Sequence, residues 1–244
     1  MIDLHSHVLP GLDDGARDLA ESVALARVLA DSGVSVLAAT PHVRKDYPTR
    51  PEQMRAALSR VREAVDEAGI DLVLVPGGEI CLEQLDVLDL DTLRAFALGD
   101  GSRFLLLEFP YDDFPPHLAD TVQALHDQNL TAILAHPERN PVVQAAPQRL
   151  VGLVEAGALI QVTAGSLTGA FGNACAGAAR SLVETGLVQL VGSDSHHPGG
   201  RPTVAAALAH VPRTLARWLT RDAPGAILAG ERPPAPPPRR LFGR

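Results

Sequence analysis

The sequence predicts an α/β protein whose parallel strands close, or nearly close, into a barrel. Short apolar runs recur along the chain, and helix-like segments lie between most of them. Apolar strands that alternate with helices are typical of parallel βαβ units, which are buried on both faces. A length of 244 residues also suits a barrel that forms one large domain.

Seven apolar runs are the strand candidates, and they span 2–4, 34–39, 71–75, 104–107, 131–135, 158–162 and 187–191. The helix-like segments span 19–31, 51–68, 116–128, 147–155, 174–184 and 204–219. Several of these segments are followed by a glycine that fits a C-terminal cap, namely Gly33, Gly69, Gly157 and Gly186. Strand and helix therefore alternate along most of the chain.

The chain changes character near its C-terminal end. We expect residues 1–220 to form one domain and residues 221–244 to form a flexible tail. The tail contains ERPPAPPPRR at 231–240, which is rich in proline and arginine. This composition favours a solvated segment, and a polyproline ligand for a partner is the other interpretation.

Composition argues against several classes of protein. A net charge of −8 argues against a nucleic-acid-binding surface, and two cysteines are too few for a disulfide scaffold or a cysteine zinc cluster. The only lysine, Lys45, lies in no nucleotide-binding P-loop. The start MIDLHSH does not resemble a signal peptide, and no apolar run is long enough for membrane insertion. We therefore expect a cytoplasmic protein.

Residue types that bind metals stand at the carboxyl ends of six of the seven runs. A barrel brings all its strand ends to one rim, and the loops at this rim hold the active sites of α/β barrels. These residues are therefore expected to share one site. They are His5, His7, His42, Glu79, Glu108, His136, Asp194 and His196.

The Asp13–Asp14 pair offers a ninth ligand, and nine side chains exceed one tetrahedral shell. With a bridging carboxylate, the set predicts two or three divalent ions. Imidazole and carboxylate without thiolate favour manganese, iron or zinc over calcium. Such ions would lower the pKa of a bridging water and supply hydroxide as the nucleophile.

Two arginines follow the predicted ligands closely. Arg139 comes three residues after His136, and Arg201 comes five residues after His196. A guanidinium group can bind a phosphoryl group through two parallel hydrogen bonds, and it stabilises the charge that develops during phosphoryl transfer. The pattern therefore predicts a metal-dependent hydrolase with an anionic substrate.

Several motifs resemble those of the polymerase-and-histidinol-phosphatase (PHP) superfamily, and within it the bacterial manganese-dependent protein-tyrosine phosphatases encoded with capsular polysaccharide genes. The matching segments are MIDLHSHVLPGLDDG at the start, ATPH at 39–42, GGE at 77–79, LLEF at 106–109, AHPER at 135–139 and GSDSH at 192–196. The resemblance covers about residues 1–220. The combination of DLHSHVLPGLDDG with HPER points to this branch of the superfamily.

The resemblance implies a distorted (β/α)7 TIM-like barrel with a trinuclear centre. It assigns one ion to His5, His7, Glu79 and Asp194, a second to Glu79, Glu108 and His136, and a third to Asp14, His42 and His196. Arg139 and Arg201 match the family's phosphate-binding arginines. The implied reaction is hydrolysis of phosphotyrosine with manganese. The implied partner is the tail of a bacterial tyrosine kinase that controls exopolysaccharide or capsule synthesis.

Other interpretations of the same residues stay open. A small-molecule phosphatase, for example one acting on histidinol phosphate, would use the same centre, and a metal-stapled binding protein would need no catalysis. An amidohydrolase often carries a bridging lysine at a strand end, where this chain has none. A cysteine-dependent phosphatase is rejected, because Cys175 and Arg180 do not have the required spacing.

Overall fold

A computed structural model describes residues 1–238, so residues 239–244 of the predicted tail lie outside the described residues. Within the described part, nine short strands run parallel to their neighbours. They are β1 (Ile2–Asp3), β2 (Val36–Ala39), β3 (His42–Val43), β4 (Val73–Pro76), β5 (Glu79–Cys81), β6 (Phe104–Glu108), β7 (Thr131–Ala135), β8 (Leu159–Thr163) and β9 (Leu190–Gly192).

The strands form two sheets, ordered β1-β2-β4 and β3-β5-β6-β7-β8-β9. Strand β3 follows β2 after two residues, and β5 follows β4 in the same way, so two of the predicted runs lead directly into a second strand. A parallel bridge between Ser6 and Ser195 joins the chain three residues after β1 to the chain three residues after β9. The fold is therefore the predicted distorted seven-unit barrel.

Glycine and proline explain the two interruptions. Pro41, between β2 and β3, has no backbone N–H to donate to a ladder. Gly77 and Gly78 lie between β4 and β5, where a Cβ on Gly77 would stand 2.8 Å from Leu98 and one on Gly78 would stand 2.7 Å from Phe96. A larger residue at either position would have to displace these neighbouring side chains.

Eleven α-helices lie within the described residues. They are α1 (Leu19–Asp31), α2 (Pro51–Glu67), α3 (Leu90–Ala95), α4 (Leu118–Asp127), α5 (Pro141–Ala145), α6 (Val151–Glu155), α7 (Ala164–Thr168), α8 (Asn173–Thr185), α9 (Val204–Ala207), α10 (Arg213–Arg217) and α11 (Ala223–Leu228). The four predicted capping glycines have φ of +95°, +63°, +108° and +81°, a left-handed conformation that favours glycine. No helix in the described part is long and apolar enough to cross a membrane.

The prediction of a single helix over 204–219 is wrong. Helix α9 ends at Ala207, and α10 begins only at Arg213. Val211, which precedes Pro212, has an extended backbone with φ of −118° and ψ of 151°. A residue before proline is pushed out of the helical region by the proline ring, so the chain turns here.

The strands divide the apolar core into two parts. Phe104 and Leu106 of β6 belong to a small cluster that also contains Ile133 and Leu190, whereas Leu105 belongs to the larger cluster. Side chains alternate along a strand, so Glu108 points to the same side as Leu106. The apolar interior of the barrel is thereby continued by polar groups at the carboxyl end of the strands.

The segment after residue 220 lies against the barrel. Ile227 of α11 packs in the small core cluster, and Trp218 Nε1 donates a hydrogen bond to the Pro234 carbonyl at 3.0 Å. The predicted domain boundary at residue 220 and the predicted flexibility of the tail stay predictions.

Candidate metal centre

The structure brings the nine predicted ligands together at the carboxyl end of the barrel. They fall into four groups whose candidate ligand atoms lie within 4.8 Å of one another. Eight of the nine residues are buried, and Asp14 is exposed. The groups are His7, Asp14, His42 and His196; His5, Glu79 and His136; His5, His7 and Asp194; and His42, Glu79 and Glu108.

Two of these residues have a strained backbone. His136 has φ of +40° and Asp194 has φ of +52°, a region that residues other than glycine rarely adopt. Their backbone N–H groups are held by neighbouring strand ends, since His136 donates to Gln161 O at 2.8 Å and Asp194 donates to His5 O at 2.9 Å. The surrounding barrel thus fixes two turns that aim side chains into the cluster.

Glu79 stands at the centre of the cluster. Its Oε2 lies 3.2 Å from His5 Nε2, 3.3 Å from His7 Nε2 and 3.1 Å from His42 Nδ1. Its Oε1 lies 2.8 Å from His136 Nε2. Burial opposes the charged form, but His5, His136 and His7 hold the pKa of this carboxyl well below its usual range. Glu79 is therefore an ionised carboxylate shared by four imidazoles.

The residues present fit divalent metal ions. Although imidazole nitrogens lie close by, buried Glu79 Oε2 forms no hydrogen bond of good geometry within the described residues, and neither does buried His42 Nδ1. A buried polar group without a hydrogen bond is costly. The Nε2 atoms of His5 and His7 lie only 3.3 Å apart. Several lone pairs therefore converge without enough protons between them, an arrangement that cations satisfy. Imidazole and carboxylate donors suit manganese, iron or zinc.

Three histidines are oriented by contacts made through the ring nitrogen that faces away from the other donors. His5 Nδ1 lies 2.9 Å from Gln161 Oε1, and His7 Nδ1 lies 2.7 Å from Asp13 Oδ2. His196 Nδ1 lies 2.9 Å from the Asp194 carbonyl oxygen. Such contacts fix the tautomer and ring orientation of metal-binding histidines.

Sequence reasoning did not single out Gln161 or Arg44, and it gave Asp13 no role of its own. Gln161 is a polar residue inside an apolar strand, which is a visible signal, and Asp13 adjoins the predicted ligand Asp14. Arg44 lies two residues after His42, and its Nη1 stands 3.2 Å from Glu108 Oε1. Arg44 could have been found as Arg139 was, because it follows a predicted metal ligand closely in the sequence.

The two predicted arginines converge on one carboxylate. Arg139 Nη1 lies 3.2 Å from Asp194 Oδ2, and Arg201 Nη1 makes a close contact with the same oxygen. Arg201 also donates to the Asp194 carbonyl oxygen at 2.7 Å. Burial opposes the charged form of Asp194, but His5, His7 and Arg201 hold its pKa far below the usual range.

The cluster opens into a cavity of about 250 Å³. Its lining combines metal-ligand residue types with Arg44, Arg139, Arg201 and Tyr111. Burial and the neighbouring Glu79 carboxylate raise the pKa of Glu108, whereas burial and His7 lower the pKa of His196 to about 3. The cavity therefore has carboxylates and neutral imidazole at its base, which can bind cations, and guanidinium groups on its wall, which can bind an anion. This combination suits an anionic ligand that also coordinates metal ions.

Two tyrosines and two further histidines differ in how closely they approach the cluster. Tyr111 lines the cavity, and its ring stacks on His136 at 5.5 Å between centroids, while Tyr47 stacks on His42 at 5.8 Å. His197 Nδ1 instead lies 3.2 Å from Glu21, and His117 is exposed beside Asp120. The two tyrosines therefore stack on predicted ligands, and the His197 ring meets that of His196 edge-on at 6.4 Å between centroids.

A family model described as capsular polysaccharide synthesis, CpsB/CapC, matches residues 1–224. The chain belongs to the CpsB/CapC family. This confirms the relationship that the motifs predict, and it covers all the residues of the cluster.

Two relatives with substantial identity carry the name tyrosine-protein phosphatase. YwqE of Bacillus subtilis (strain 168) is 36% identical over 198 residues, which are 81% of this chain and 78% of YwqE. CpsB of Streptococcus pneumoniae is 30% identical over 213 residues, which are 83% of this chain and 85% of CpsB. The activity in these names is the one that the sequence predicts.

Solved structures support the same relationship. The chain matches a structure from work on YwqE and S. pneumoniae CpsB, described as metal-dependent tyrosine phosphatases, with a TM-score of 0.84 and 31% identity. The match covers 98% of this chain and all of the other. A β-aspartyl dipeptidase of Fervidobacterium islandicum matches with a TM-score of 0.51 and 13% identity, over 86% of this chain and 65% of the dipeptidase, which shows a shared fold alone.

Proposed function

We propose that this CpsB/CapC chain is a metal-dependent protein-tyrosine phosphatase that hydrolyses phosphotyrosine. The observation that carries the proposal is the convergence of Arg139 and Arg201 on Asp194, a predicted metal ligand, at the wall of the cavity. Cation-binding and anion-binding groups thus meet at one place. A phosphate monoester is a ligand that both kinds of group recognise.

The nine clustered side chains would hold two or three divalent ions, with manganese as the preferred metal and iron or zinc as chemically acceptable substitutes. Glu79 would be a ligand for these ions, because its two oxygens face His5, His7, His42 and His136. When bound, the ions supply a Lewis acid that polarises the phosphoryl group and a means to lower the pKa of water towards neutrality.

Arg139 and Arg201 would bind the phosphoryl oxygens and stabilise the charge that develops on them. Their contacts with Asp194 both use Nη1, and a guanidinium group carries five N–H donors. Donors therefore remain for the substrate while Asp194 stays in contact with both arginines. Tyr111, whose ring lines the cavity and stacks on His136, would lie beside the bound phosphotyrosine.

The reaction would proceed without a phospho-enzyme intermediate. The cavity lining includes no serine, threonine or cysteine among the described residues. Cys175 is buried, and burial raises the pKa of its thiol, so it is a poor nucleophile. Direct attack by water fits a lining of histidines, carboxylates and arginines.

The substrate would be a phosphotyrosine protein, such as the tail of a bacterial tyrosine kinase that controls exopolysaccharide or capsule synthesis. The family description and the names of the relatives support this partner. We place the reaction in the cytoplasm, where such a tail would meet the enzyme. The net charge of −8 makes nucleic acid an unsuitable partner.

The test compares a phosphotyrosine peptide with histidinol phosphate in the presence of manganese. We expect hydrolysis of the peptide, loss of activity on chelation, and an unchanged far-ultraviolet circular dichroism spectrum. Faster turnover of histidinol phosphate would instead identify a small-molecule phosphatase. Absence of turnover with manganese, iron or zinc would contradict an enzymatic function.

A further inference from the structure

Phe171 contacts both arginines of the candidate anion site. Its ring centroid lies 4.5 Å from the Arg139 guanidinium carbon and 5.7 Å from that of Arg201. We propose that Phe171 is a positioning residue that holds these two guanidinium groups in place for the phosphate. The proposal rests on the function proposed above for the arginines.

The backbone of the loop that carries Phe171 and its contact with α7 restrict the position of the ring. Gly169 and Gly172 flank it with φ of +88° and +89°, and Ala170 N–H donates to Gly165 O at 2.9 Å. The ring lies directly against helix α7, because a Cβ on Gly165 would stand 2.7 Å from a ring carbon of Phe171. A glycine at 165 is therefore required for this position of the ring.

The same region is tied to the turn that carries Arg139. Glu138 is fully buried, and its Oε1 accepts hydrogen bonds from Thr163 N at 2.8 Å and Thr163 Oγ1 at 3.1 Å. Thr163 ends β8 and directly precedes α7, while Glu138 directly precedes Arg139. The ring and the guanidinium group are thus attached to two backbone segments that are fixed to each other.

A ring beneath a guanidinium group leaves the N–H donors at the edge of the plane available to an anion. Arg139 also lies 4.8 Å from the centroid of the Tyr111 ring, so two aromatic side chains limit its rotamers. An arginine held in this way loses less conformational freedom when it binds phosphate. Removal of the Phe171 contacts should weaken phosphate binding and turnover about tenfold, the size expected for cation–π contacts near a protein surface.

The first test compares Phe171→Leu with Phe171→Tyr in the manganese-loaded full chain. Phe171→Leu keeps an apolar side chain but removes the aromatic face, and Phe171→Tyr keeps that face. We expect Phe171→Leu to lower kcat/KM for a phosphotyrosine peptide about tenfold, with a similar loss of affinity for inorganic phosphate by calorimetry. The metal content of both variants should equal that of the wild-type chain. The loss of kcat/KM in Phe171→Tyr should be less than half of the loss in Phe171→Leu.

A double-mutant cycle separates positioning from a general structural role. In an Arg139→Ala background, the Phe171 ring can position only Arg201. The loss of phosphate affinity and of kcat/KM caused by Phe171→Leu should therefore be smaller. In the Arg139→Ala, Arg201→Ala double background its effect should disappear. A constant tenfold loss in every background would overturn the proposal, because the ring would then act by another route.

Gly165→Ala moves the ring without changing it, and it has a matched control. We expect Gly165→Ala to reproduce the loss seen with Phe171→Leu. Gly177→Ala, on α8, should have no effect, because a Cβ there meets nothing within 4 Å. Wild-type phosphate affinity in a folded Phe171→Leu variant would overturn the proposal.

The phosphate measurement also distinguishes this proposal from the proposed function. A wild-type chain that binds phosphate but does not hydrolyse phosphotyrosine would contradict the function only, and the affinities of the Phe171 variants would still decide the positioning role. A manganese-loaded wild-type chain that binds no phosphate would contradict both.

Discussion

The Asp13 carboxylate contacts the His7 imidazole, with Oδ2 2.7 Å from Nδ1. The same oxygen accepts from the His42 backbone N–H at 2.9 Å, and Oδ1 accepts from Gly15 N–H. Burial opposes ionisation, but these contacts, above all with His7, lower the pKa of Asp13 to about 2. An ionised Asp13 can only accept, so His7 Nδ1 carries the proton and Nε2 is the atom available to a metal.

We predict that Asp13→Asn weakens manganese binding about 10-fold to 100-fold, the usual effect of losing such a supporting contact. The amide can still accept from His42 N–H, but it no longer attracts the His7 proton as a carboxylate does. A manganese titration of the metal-free protein measures the change. Asp91→Asn, at an exposed acid, is the matched control, and equal affinities of the two variants would contradict the role of Asp13.

Metal binding should release protons. Burial opposes the charged forms of His5 and His7, but contacts with Glu79 and Asp194, and with Asp13 in the case of His7, raise the pKa of both. Protons therefore bind these two histidines more tightly than they bind a free imidazole, and a ligand nitrogen must lose its proton when a metal binds. Manganese affinity should therefore fall as pH falls, because protons then compete better for the ligand nitrogens.

Calorimetry in two buffers that differ in ionisation enthalpy measures this release. We expect a net release of protons at pH 7, so the binding heat should differ between the two buffers. His196 should contribute none, because its pKa is lowered to about 3 by burial and by His7. A binding heat that is identical in both buffers would show that the histidines are already neutral.

Arg139→Ala should lower kcat/KM for phosphotyrosine about 100-fold to 1000-fold, the range for loss of one group that stabilises developing charge. Metal content should change little, because Arg139 contacts Asp194 only at the oxygen that it shares with Arg201. Turnover and bound manganese are measured on the same sample. Arg149→Ala, at an exposed arginine beside Phe114, is the control. Parallel loss of metal and activity would contradict a role in phosphate binding.

The barrel and the residues of its rim could be predicted because both depend on local patterns. Apolar runs mark buried strands, and any polar residue directly after a run must lie near the rim. Glu79 and His136 are 57 positions apart in the chain, yet the same rule predicts that they meet.

Contacts that depend on the exact path of a loop could not be predicted in this way. Phe171 lies in a glycine-flanked loop that ends no strand, and its approach to Arg139 depends on how α7 packs. Arg44 is close to Glu108 only because β3 and β6 flank β5. Such pairs follow from three-dimensional packing, for which a single sequence has no periodic signal.

Asn140 joins the turn after His136 to the loop that carries Tyr111. It is buried, its Oδ1 accepts from Val142 N–H at 2.7 Å, and its Nδ2 donates to Pro110 O at 2.7 Å and Asp113 O at 2.8 Å. We predict that Asn140→Ala costs about 2–4 kcal/mol of unfolding free energy, because it removes a helix cap and two further hydrogen bonds that tie the turn to the neighbouring loop. Denaturant unfolding measures this cost, and a loss below about 1 kcal/mol would contradict it.

The single tryptophan offers a test of how the tail is held. Trp218 is only 5% exposed, and its indole N–H donates to the Pro234 carbonyl. The groove around it is lined by Gly157, Gly186 and Leu159, which lie at the amino ends of strands, away from the candidate metal centre. Tail contacts should therefore affect stability without affecting catalysis.

We predict that removal of residues 231–244 shifts the Trp218 emission to longer wavelength and makes the indole accessible to acrylamide. The loss of one hydrogen bond and of the apolar cover should cost about 1–3 kcal/mol in unfolding free energy. The kcat/KM for a phosphotyrosine peptide should stay within about twofold, since a surface contact remote from the site gives no transition-state stabilisation. Trp218→Phe in the full chain is the companion variant, because it removes the hydrogen bond while the ring still covers the groove. An unchanged emission spectrum after truncation would mean that the tail does not cover Trp218 in solution, and a large loss of activity would mean that the two ends of the barrel are coupled.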